Sequence, residues 1–315
     1  MRKLILLLLI TIVGSYTLNA QIGLYSQYMF NGLVVNPAYA GTVEDAMSLT
    51  AFYRNQWATI EGAPQDLSIS AHSPVGKNKR VGLGMFLEND KVGLTNWYNI
   101  FGSYAYRFPL QNGGTLSAGL QGGISLLQAN LLEGTTPDGG FDPALEFESA
   151  LRPNFGAGLY YYTDLMYVGF SVPYLLKQKK LTDKDGVELA TESARNRQYI
   201  ITGGLVFPIN DNLKIKPSTL VRYIPSDYSP ILGDLSASVF IKDAVSIGAT
   251  YRVGTQIQAF IIMLSYRAPS GLRVGYAYDN SLDALSTYTS SHEVMIGYDL
   301  SRNKGSKTVL TPRYF

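Results

Sequence analysis

Two neighbouring stretches decide the fold, residues 257–267 (IQAFIIMLSYR) and residues 271–279 (GLRVGYAYD). Large apolar side chains stand at every second position of both: Phe260, Ile262, Leu264 and Tyr266, then Leu272, Val274, Tyr276 and Tyr278. Successive side chains of a β-strand point to opposite faces, so this period of two predicts two strands joined by a short turn. The opposite face of the second strand carries small and charged residues: Arg273, Gly275, Ala277 and Asp279.

The same alternation recurs along the chain after residue 46. It predicts fourteen strands, at residues 47–57, 65–73, 81–90, 96–108, 115–129, 153–163, 165–173, 198–208, 213–224, 231–241, 244–253, 257–267, 271–279 and 290–300. A bacterial single-chain membrane barrel closes with an even number of strands, and this count meets that requirement.

Two all-β folds compete for this pattern. A soluble β-sandwich turns a polar face to water and packs large side chains into its core. Here the second face consists of Gly, Ser, Thr, Ala and isolated charges, which favours a barrel with an apolar face toward lipid and a polar lumen. Tyrosines near the strand ends then supply the interfacial girdles, as at Tyr104 and Tyr106, Tyr160 to Tyr162, and Tyr276 and Tyr278. We therefore expect an all-β protein, a transmembrane antiparallel β-barrel of about 14 strands.

The connections between these strands differ in length. If the first strand starts on the periplasmic side, the only two long loops, 130–152 and 174–197, both become extracellular, as in outer-membrane barrels. The second loop carries Lys177, Lys179, Lys180 and Lys184, which we expect on a solvated or lipopolysaccharide-facing surface. The first carries Asp138, Asp142, Glu146 and Glu148, whose spacing matches no calcium loop, so a mobile acidic loop is expected instead.

The first twenty residues have the three parts of a secretory signal peptide. Arg2 and Lys3 precede an apolar run over residues 4–13, and Leu18-Asn19-Ala20 forms a cleavage site before Gln21. The run is too short to cross about 30 Å of hydrocarbon as a helix. The predicted organisation is a signal peptide (1–20), an N-terminal plug or docking segment (21–46), an outer-membrane barrel (47–300) and a periplasmic C-terminal tail (301–315).

Composition excludes several kinds of function. The chain of 315 residues has no Cys, which excludes a disulfide scaffold, a thiolate nucleophile and a Cys-ligated metal, and two His cannot make a His-rich site. Removal of Arg2 and Lys3 from the 26 basic residues leaves as many basic as acidic residues, 24 of each, so no nucleic-acid footprint is expected. Charged residues make up 16% of the chain, where a soluble domain carries roughly 25%. This low charge fits a surface that faces the lipid of the outer membrane, and neither a cofactor nor a metal is expected.

No arrangement of catalytic residues is found. His72 is placed at a strand end and His292 on the outer interface, and no G-x-S-x-G elbow accompanies them. Glu293 and Asp299 lie six residues apart on one predicted strand. At roughly 3.3 Å per residue they are about 20 Å apart, beyond the roughly 5 to 9.5 Å of a glycosidase pair. We expect no enzyme.

The least generic part of the chain precedes the first strand. It reads YSQYMFN at residues 25–31 and NPAYAGT at residues 36–42, and its rings should be buried in the lumen or against the periplasmic mouth. Two interpretations remain open, a structural plug and a segment that docks a partner. Pro37 fixes its own φ and biases Asn36 toward an extended geometry, so this pair should direct the chain into the first strand. The residues favoured for either role are Tyr28, Phe30, Asn31, Asn36, Pro37, Tyr39 and Gly41.

These segments resemble the PorP/SprF family of outer-membrane proteins of the Bacteroidetes type IX secretion and gliding machinery. The resemblance rests on Gln27-Tyr28-Met29-Phe30-Asn31, Asn36-Pro37-Ala38-Tyr39-Ala40-Gly41 and Tyr53-Arg54-Asn55-Gln56-Trp57. It continues through Gly82-Leu83-Gly84, Gly275-Tyr276-Ala277-Tyr278-Asp279 and the terminal Pro312-Arg313-Tyr314-Phe315. It departs at Gly32-Leu33-Val34-Val35, where a more polar link is expected.

The resemblance implies a component without catalysis that helps to export or retain secreted proteins, often adhesins, with a C-terminal sorting domain. It also implies periplasmic partners from the secretion apparatus. The alternative is a channel or transporter for small or hydrophobic solutes, since fourteen strands with an N-terminal plug also suit that function. A hydrophobic-substrate path needs an apolar pocket, whereas five predicted inward arginines indicate a polar lumen: Arg54, Arg107, Arg252, Arg267 and Arg273. Of these, Arg252 and Arg273 are also candidates for partner binding, ranked below the residues of the N-terminal segment.

Overall fold

The structure is a computed structural model that describes residues 25–43, 46–111, 113–130, 147–176, 181–182, 188–190, 197–225, 231–254, 258–282 and 290–301. The expected signal peptide and nearly all of the expected C-terminal tail lie outside these residues. So do the lysines of loop 174–197 and the acidic residues of loop 130–152, except Glu148.

Fourteen strands form one closed antiparallel barrel in the described part of the chain. They are β1 (Ala46–Asn55), β2 (Gln65–Val75), β3 (Val81–Val92), β4 (Thr95–Pro109), β5 (Thr115–Asn130), β6 (Phe147–Tyr162), β7 (Met166–Val172), β8 (Tyr199–Leu205, continued by Phe207–Asn210), β9 (Leu213–Tyr223), β10 (Ile231–Ile241), β11 (Val245–Gly254), β12 (Gln258–Arg267), β13 (Leu272–Ser281) and β14 (Ser290–Ser301). Each strand pairs with its neighbours in sequence, and β14 pairs with β1 to close the ring. Two short strands, Leu181–Thr182 and Glu188–Ala190, pair separately within the connection from β7 to β8.

Burial follows the period of two. On β12, Phe260, Ile262 and Leu264 are 44%, 51% and 53% exposed, whereas the side chains between them are buried. The exposed face is apolar around the barrel, and the buried face is rich in hydroxyl groups: Ser48, Ser68, Ser103, Ser117, Ser125, Ser171, Ser218, Ser236 and Ser246. An apolar outside around a polar inside is the arrangement of a membrane barrel, and the predicted fold class is confirmed in this respect.

The two ends of the barrel differ in their connections. The two longest connections join β5 to β6 (131–146) and β7 to β8 (173–198). Both lie at the same end of the barrel, here called the long-loop end. The other end, here called the short-turn end, has connections such as 163–165 and 211–212. β1 begins at the short-turn end, so the segment before it must reach that end before the first strand starts.

The strand boundaries differ from the prediction by one or two residues at many strand ends and by six at the start of β6. β6 begins at Phe147, six residues before the expected start, although it contains Pro153. Residues 147–156 pair with β5, but strand pairing with β7 starts only at Ala157, and a strand edge tolerates proline. β1 ends at Asn55 instead of Trp57, because Trp57 adopts a left-handed φ of 48° in the following turn. Among the described helices, none is both long and apolar enough to cross a membrane.

Candidate functional site inside the barrel

The segment before β1 folds into three single helical turns. Residues 25–43, here called the N-terminal segment, contain the turns Tyr28–Phe30, Gly32–Val35 and Pro37–Tyr39. The side chain of Asn36 accepts a hydrogen bond from the backbone N–H of Ala38 at 2.9 Å and so caps the third turn, which begins with Pro37. The apolar run at Gly32–Val35, where a polar link was expected, is explained by this fold, because Leu33 and Val35 are buried.

The N-terminal segment lies against inward-facing groups on several sides of the barrel. Asn31 donates to Ser68 on β2 at 3.3 Å, and Ser171 on β7 donates to the carbonyl of Val35 at 2.7 Å. At its start, the segment meets Glu293 on β14. Glu293 lies near the long-loop end of its strand, whereas Gly82, which contacts Ala40, lies near the short-turn end. The segment therefore runs through the interior from the long-loop end to the short-turn end.

Buried ionic groups surround the first residues of the segment. Arg54 on β1 forms an ion pair with Asp279 on β13 at 2.8 Å and lies 3.6 Å from Glu293. Arg252 on β11 binds both carboxylate oxygens of Asp234 on β10, each at 2.8 Å. These five side chains are almost completely buried. Charges removed from water in this way are stable only when they are paired and hydrogen-bonded, as they are here.

Glu293 binds the main chain of the N-terminal segment. Its carboxylate accepts hydrogen bonds from the backbone N–H groups of Ser26 at 2.6 Å and Gln27 at 2.9 Å, and from the side-chain amide of Gln27 at 3.3 Å. Arg54 donates to the hydroxyl of Ser26 at 2.6 Å. The carboxylate is fully buried, so these donors replace the water that it would otherwise bind.

Glycines on the barrel wall admit the other end of the segment. A Cβ atom at Gly82 would lie 2.0 Å from the carbonyl oxygen of Ala40, and one at Gly119 would lie 2.3 Å from the nitrogen of Ala38. Gly41 has a φ of +73°, and a Cβ there would meet Gly82 at 2.6 Å, so glycine is required on both counts. The hydroxyl of Ser117 donates a hydrogen bond to the backbone carbonyl of Ala38 at 2.7 Å. The backbone of Gly41 makes two further hydrogen bonds with the wall. Gly41 donates to Nδ1 of His72 at 3.1 Å and accepts from Arg107.

Aromatic side chains fill the space between these anchors. Tyr28 and Met29 pack with Val35, Ile200, Leu220 and Ile261, and Phe30 packs against this cluster. Tyr39 lies 5.6 Å from Tyr160 and 5.2 Å from His72, measured between ring centroids. A cavity of about 20 Å³ between Tyr28, Asn36, Tyr39 and Tyr160 has room for about one water molecule.

A second ionic cluster lies at the short-turn end. Asp299 on β14 pairs with Arg267 at 2.6 Å and with Arg273 at 3.2 Å. Arg273 also donates to the hydroxyls of Ser48 at 2.9 Å and Thr50 at 3.1 Å on β1. This cluster joins β12, β13, β14 and β1 across the seam where the barrel closes.

The structure brings the residues singled out from the sequence into one interior. Tyr28, Asn31, Asn36, Pro37 and Gly41 are buried, and Phe30 and Tyr39 are partly buried. The five arginines expected to face inward do so: Arg54, Arg107, Arg252, Arg267 and Arg273. Their role in binding a partner stays a prediction.

Sequence reasoning missed the carboxylates that pair with these arginines. Glu293, Asp279 and Asp234 are the principal anchors of Arg54 and Arg252, yet none was expected to pair with an arginine, and Glu293 was considered only as part of a catalytic pair. The available signal was their position on the small-residue face of strongly alternating strands. His292, expected on the outer interface, does lie on the outward face, where its Nδ1 is 2.6 Å from the hydroxyl of Tyr276. Among the described residues, no group of three or more His, Asp or Glu is arranged to hold a metal ion.

Solved structures with a similar fold are membrane barrels of low sequence identity. The toluene transporter TbuX of Ralstonia pickettii is 11% identical, with a TM-score of 0.50 over 85% of this chain and 93% of that one. A FadL homologue of Pseudomonas aeruginosa is 13% identical, with a TM-score of 0.48 over 85% and 93%. A mutant porin of Rh. blastica is 10% identical, with a TM-score of 0.36 over 81% and 99%. At these identities the likeness concerns the fold alone.

Sequence comparison is more specific. Curated proteins give no match. The profile of the family described as type IX secretion system membrane protein PorP/SprF matches residues 17–298, which include the N-terminal segment and nearly the whole barrel. The chain therefore belongs to the PorP/SprF family of type IX secretion system membrane proteins.

Proposed function

We propose that this protein is a non-catalytic outer-membrane barrel of the type IX secretion system that assists the export or surface attachment of other proteins. The clients are secreted proteins, such as adhesins, that carry a C-terminal sorting domain. The family match over residues 17–298 is the observation that carries this proposal. The apolar exterior supports a location in the outer membrane, where its contact with lipid replaces contact with water.

The interior gives the proposal a physical form. Its ionic side chains and serines contact the N-terminal segment through hydrogen bonds, so the barrel holds a polypeptide in a polar environment. We assign residues 21–46 as a plug that fills the barrel in the resting state and as the docking segment for a partner. Within this segment, Tyr28, Phe30, Asn31, Asn36, Pro37, Tyr39 and Gly41 are the proposed contact residues.

The remaining organisation follows from the same proposal. Residues 1–20 act as the signal peptide that exports the chain, and residues 47–300 form the barrel in the outer membrane. Residues 301–315 form a periplasmic tail, which places them on the same side as the periplasmic secretion components. Arg252 and Arg273 serve mainly as partners of interior carboxylates, which weakens the case that they bind a client directly.

The alternative function is a channel or transporter for small or hydrophobic solutes. The observation in its favour is the fold, which resembles that of the toluene transporter TbuX. Against it stand the buried ionic pairs around Arg54 and Arg252, because a path for hydrophobic solutes needs an apolar lining.

Gene deletion distinguishes the two functions. A deletion strain should lose one or a few surface proteins that carry a sorting domain, and those proteins should reappear when the gene is restored. Solute uptake should be unchanged. A strain with a normal surface proteome and a specific uptake defect would instead establish the transporter. A matched control is complementation with Glu61→Ala, which alters an exposed residue far from the interior and should restore display fully.

A further inference from the structure

The barrel binds the main chain of the N-terminal segment at several points along its length. Side chains of the wall bind backbone atoms of seven groups in the segment: the carbonyl of Tyr25, the N–H of Ser26, the N–H of Gln27, the carbonyl of Val35, the carbonyl of Ala38, and the N–H and carbonyl of Gly41. Main-chain groups are the same in every polypeptide. A site that binds them is therefore not restricted to the sequence of this chain.

The wall also selects how closely a polypeptide can approach. At Gly82, Gly119 and Gly158, a Cβ atom would lie 2.0 to 2.3 Å from atoms of the segment, so only glycine lets the segment approach the barrel backbone this closely. Gly82 and Gly119 face the small residues Ala38, Ala40 and Gly41, whereas Gly158 faces the side chain of Asn36. The short-turn end of the interior is thus shaped for a small-residue stretch of polypeptide.

Glu293 makes an empty site unfavourable. Its buried carboxylate accepts hydrogen bonds from two consecutive backbone N–H groups, and loss of both would leave Arg54, 3.6 Å away, as its ion-pair partner in the wall. A buried charge that loses its partners is strongly destabilising. Release of the segment is therefore favoured when another chain supplies an equivalent pair of N–H groups.

From these contacts we infer that the interior is an exchangeable polypeptide-binding site, and that the N-terminal segment is its resident intramolecular ligand. The incoming ligand is a segment of a second protein that offers two consecutive free N–H groups to Glu293 and a small-residue stretch to Gly82 and Gly119. In this view the N-terminal segment competes with the incoming chain and keeps the site closed until that chain arrives. The inference rests on the proposed function only for the source of the incoming chain, a secreted client.

The test uses the full chain with a protease cleavage sequence inserted between Val43 and Ala46. Cleavage of the purified protein turns the N-terminal segment into a separate bound peptide and removes the high effective concentration of a tethered ligand. A synthetic peptide of residues 25–43 with a fluorescent label is then added, and its uptake is followed by anisotropy while the barrel is warmed toward its unfolding temperature. Uptake before the barrel unfolds is the expected result. No uptake below that temperature overturns the inference.

Two altered peptides test whether the main chain is what the site binds. N-methylation of the Ser26 and Gln27 nitrogens removes both donors to Glu293 and should weaken binding at least about a hundredfold, because hydrogen bonds to a charged group are strong. Ser26→Ala with Asn31→Ala removes only side-chain anchors and should weaken it less, by about tenfold. Equal binding of the N-methylated and unmodified peptides overturns main-chain recognition.

An engineered disulfide supplies the matched control in the cleaved protein. A Cβ at Gly84 would lie 2.8 Å from a methyl carbon of Leu33, so Leu33→Cys with Gly84→Cys can link the segment to β3, and the chain has no other Cys. The oxidised protein should take up no peptide, and reduction should restore uptake. If the inserted cleavage sequence prevents folding, the uncut chain with Ser26→Pro and Gln27→Pro replaces it, since neither proline can donate to Glu293. That variant should bind the labelled peptide more than the unaltered chain does, and equal binding would overturn the inference.

These outcomes are independent of the secretion test. If the purified protein exchanges peptide but the deletion strain displays its surface proteins normally, the inferred binding site stands and the proposed client is wrong. If the purified protein does not exchange peptide but the deletion strain loses surface display, the secretion role stands and the inferred site is wrong.

Discussion

Glu293 is the residue on which the start of the N-terminal segment depends. Replacement by Ala leaves the N–H groups of Ser26 and Gln27 without their acceptor and removes one of two carboxylates beside Arg54. Breaking a buried pair in this way costs about 3 kcal/mol. We expect Glu293→Ala to lower the urea concentration at the midpoint of unfolding in detergent. Unfolding is measured by the shift in gel mobility between the folded and the unfolded barrel. Glu61→Ala, at an exposed position, should leave the midpoint unchanged, and an equal effect of both would contradict the role of Glu293.

Gly158 is the residue that admits Asn36. A methyl group at this position would lie 2.0 Å from Oδ1 of Asn36, the atom that caps the third turn. We expect Gly158→Ala to displace the turn Pro37–Tyr39 and to expose the N-terminal segment to limited proteolysis while the barrel stays folded. Gly102→Ala provides the matched control, because the nearest atom to a Cβ there is 4.0 Å away. Equal protease resistance of the two variants would show that Asn36 can move without cost.

At the scale of the element, the N-terminal segment is held by the packing of its aromatic side chains and by hydrogen bonds to the wall. Tyr28→Ala with Phe30→Ala removes rings from the main apolar cluster and should loosen the segment. Truncation of one buried aromatic side chain costs about 3 kcal/mol or more, so the thermal transition should fall by several degrees. Client display should fall with it. Tyr28→Phe keeps the ring and should change little, whereas an unchanged transition and intact display in the double Ala variant would contradict the proposed plug.

The strands show what sequence alone can establish at this scale. Period-two alternation is a local property, and it placed strands such as 257–267 and 290–300 within one or two residues of those observed. The predicted start of β6 was wrong because proline usually disfavours a strand. Here Pro153 lies in a part of the strand that pairs on one side only, where proline is tolerated. The single turn at Gly32–Val35 was also missed, because only burial against the barrel makes an apolar sequence favourable there.

The anchors of the interior could not be predicted for a different reason. Ser26 and Glu293 are 267 positions apart, and Arg54 and Asp279 are 225 apart. Such pairs depend on which strands meet across the closed ring, and a single sequence carries no record of that register. The alternation of side chains along each strand could place Arg54 and Arg252 on the inward face, but it could not identify their partners.

At the scale of the whole molecule, a filled interior predicts low conductance. The N-terminal segment lies inside the barrel and contacts its wall on several sides, so it stands in the path that a solute would take. We expect the intact protein to show little current in planar bilayers. Ser26→Pro with Gln27→Pro should raise the current by loosening the N-terminal segment, and Glu61→Ala should not. Large stable channels in the unaltered protein would contradict a filled barrel and favour the transporter.

The contact between Ser26 and Glu293 also sets an order for biogenesis. The N-terminal segment precedes the whole barrel in the chain, but its carboxylate acceptor lies on β14, the last strand of the barrel. Until β14 is inserted and pairs with β1, the N–H groups of Ser26 and Gln27 have no acceptor, although later parts of the segment can already contact β2, β5 and β7. The start of the segment can therefore be fixed only in the step that closes the wall.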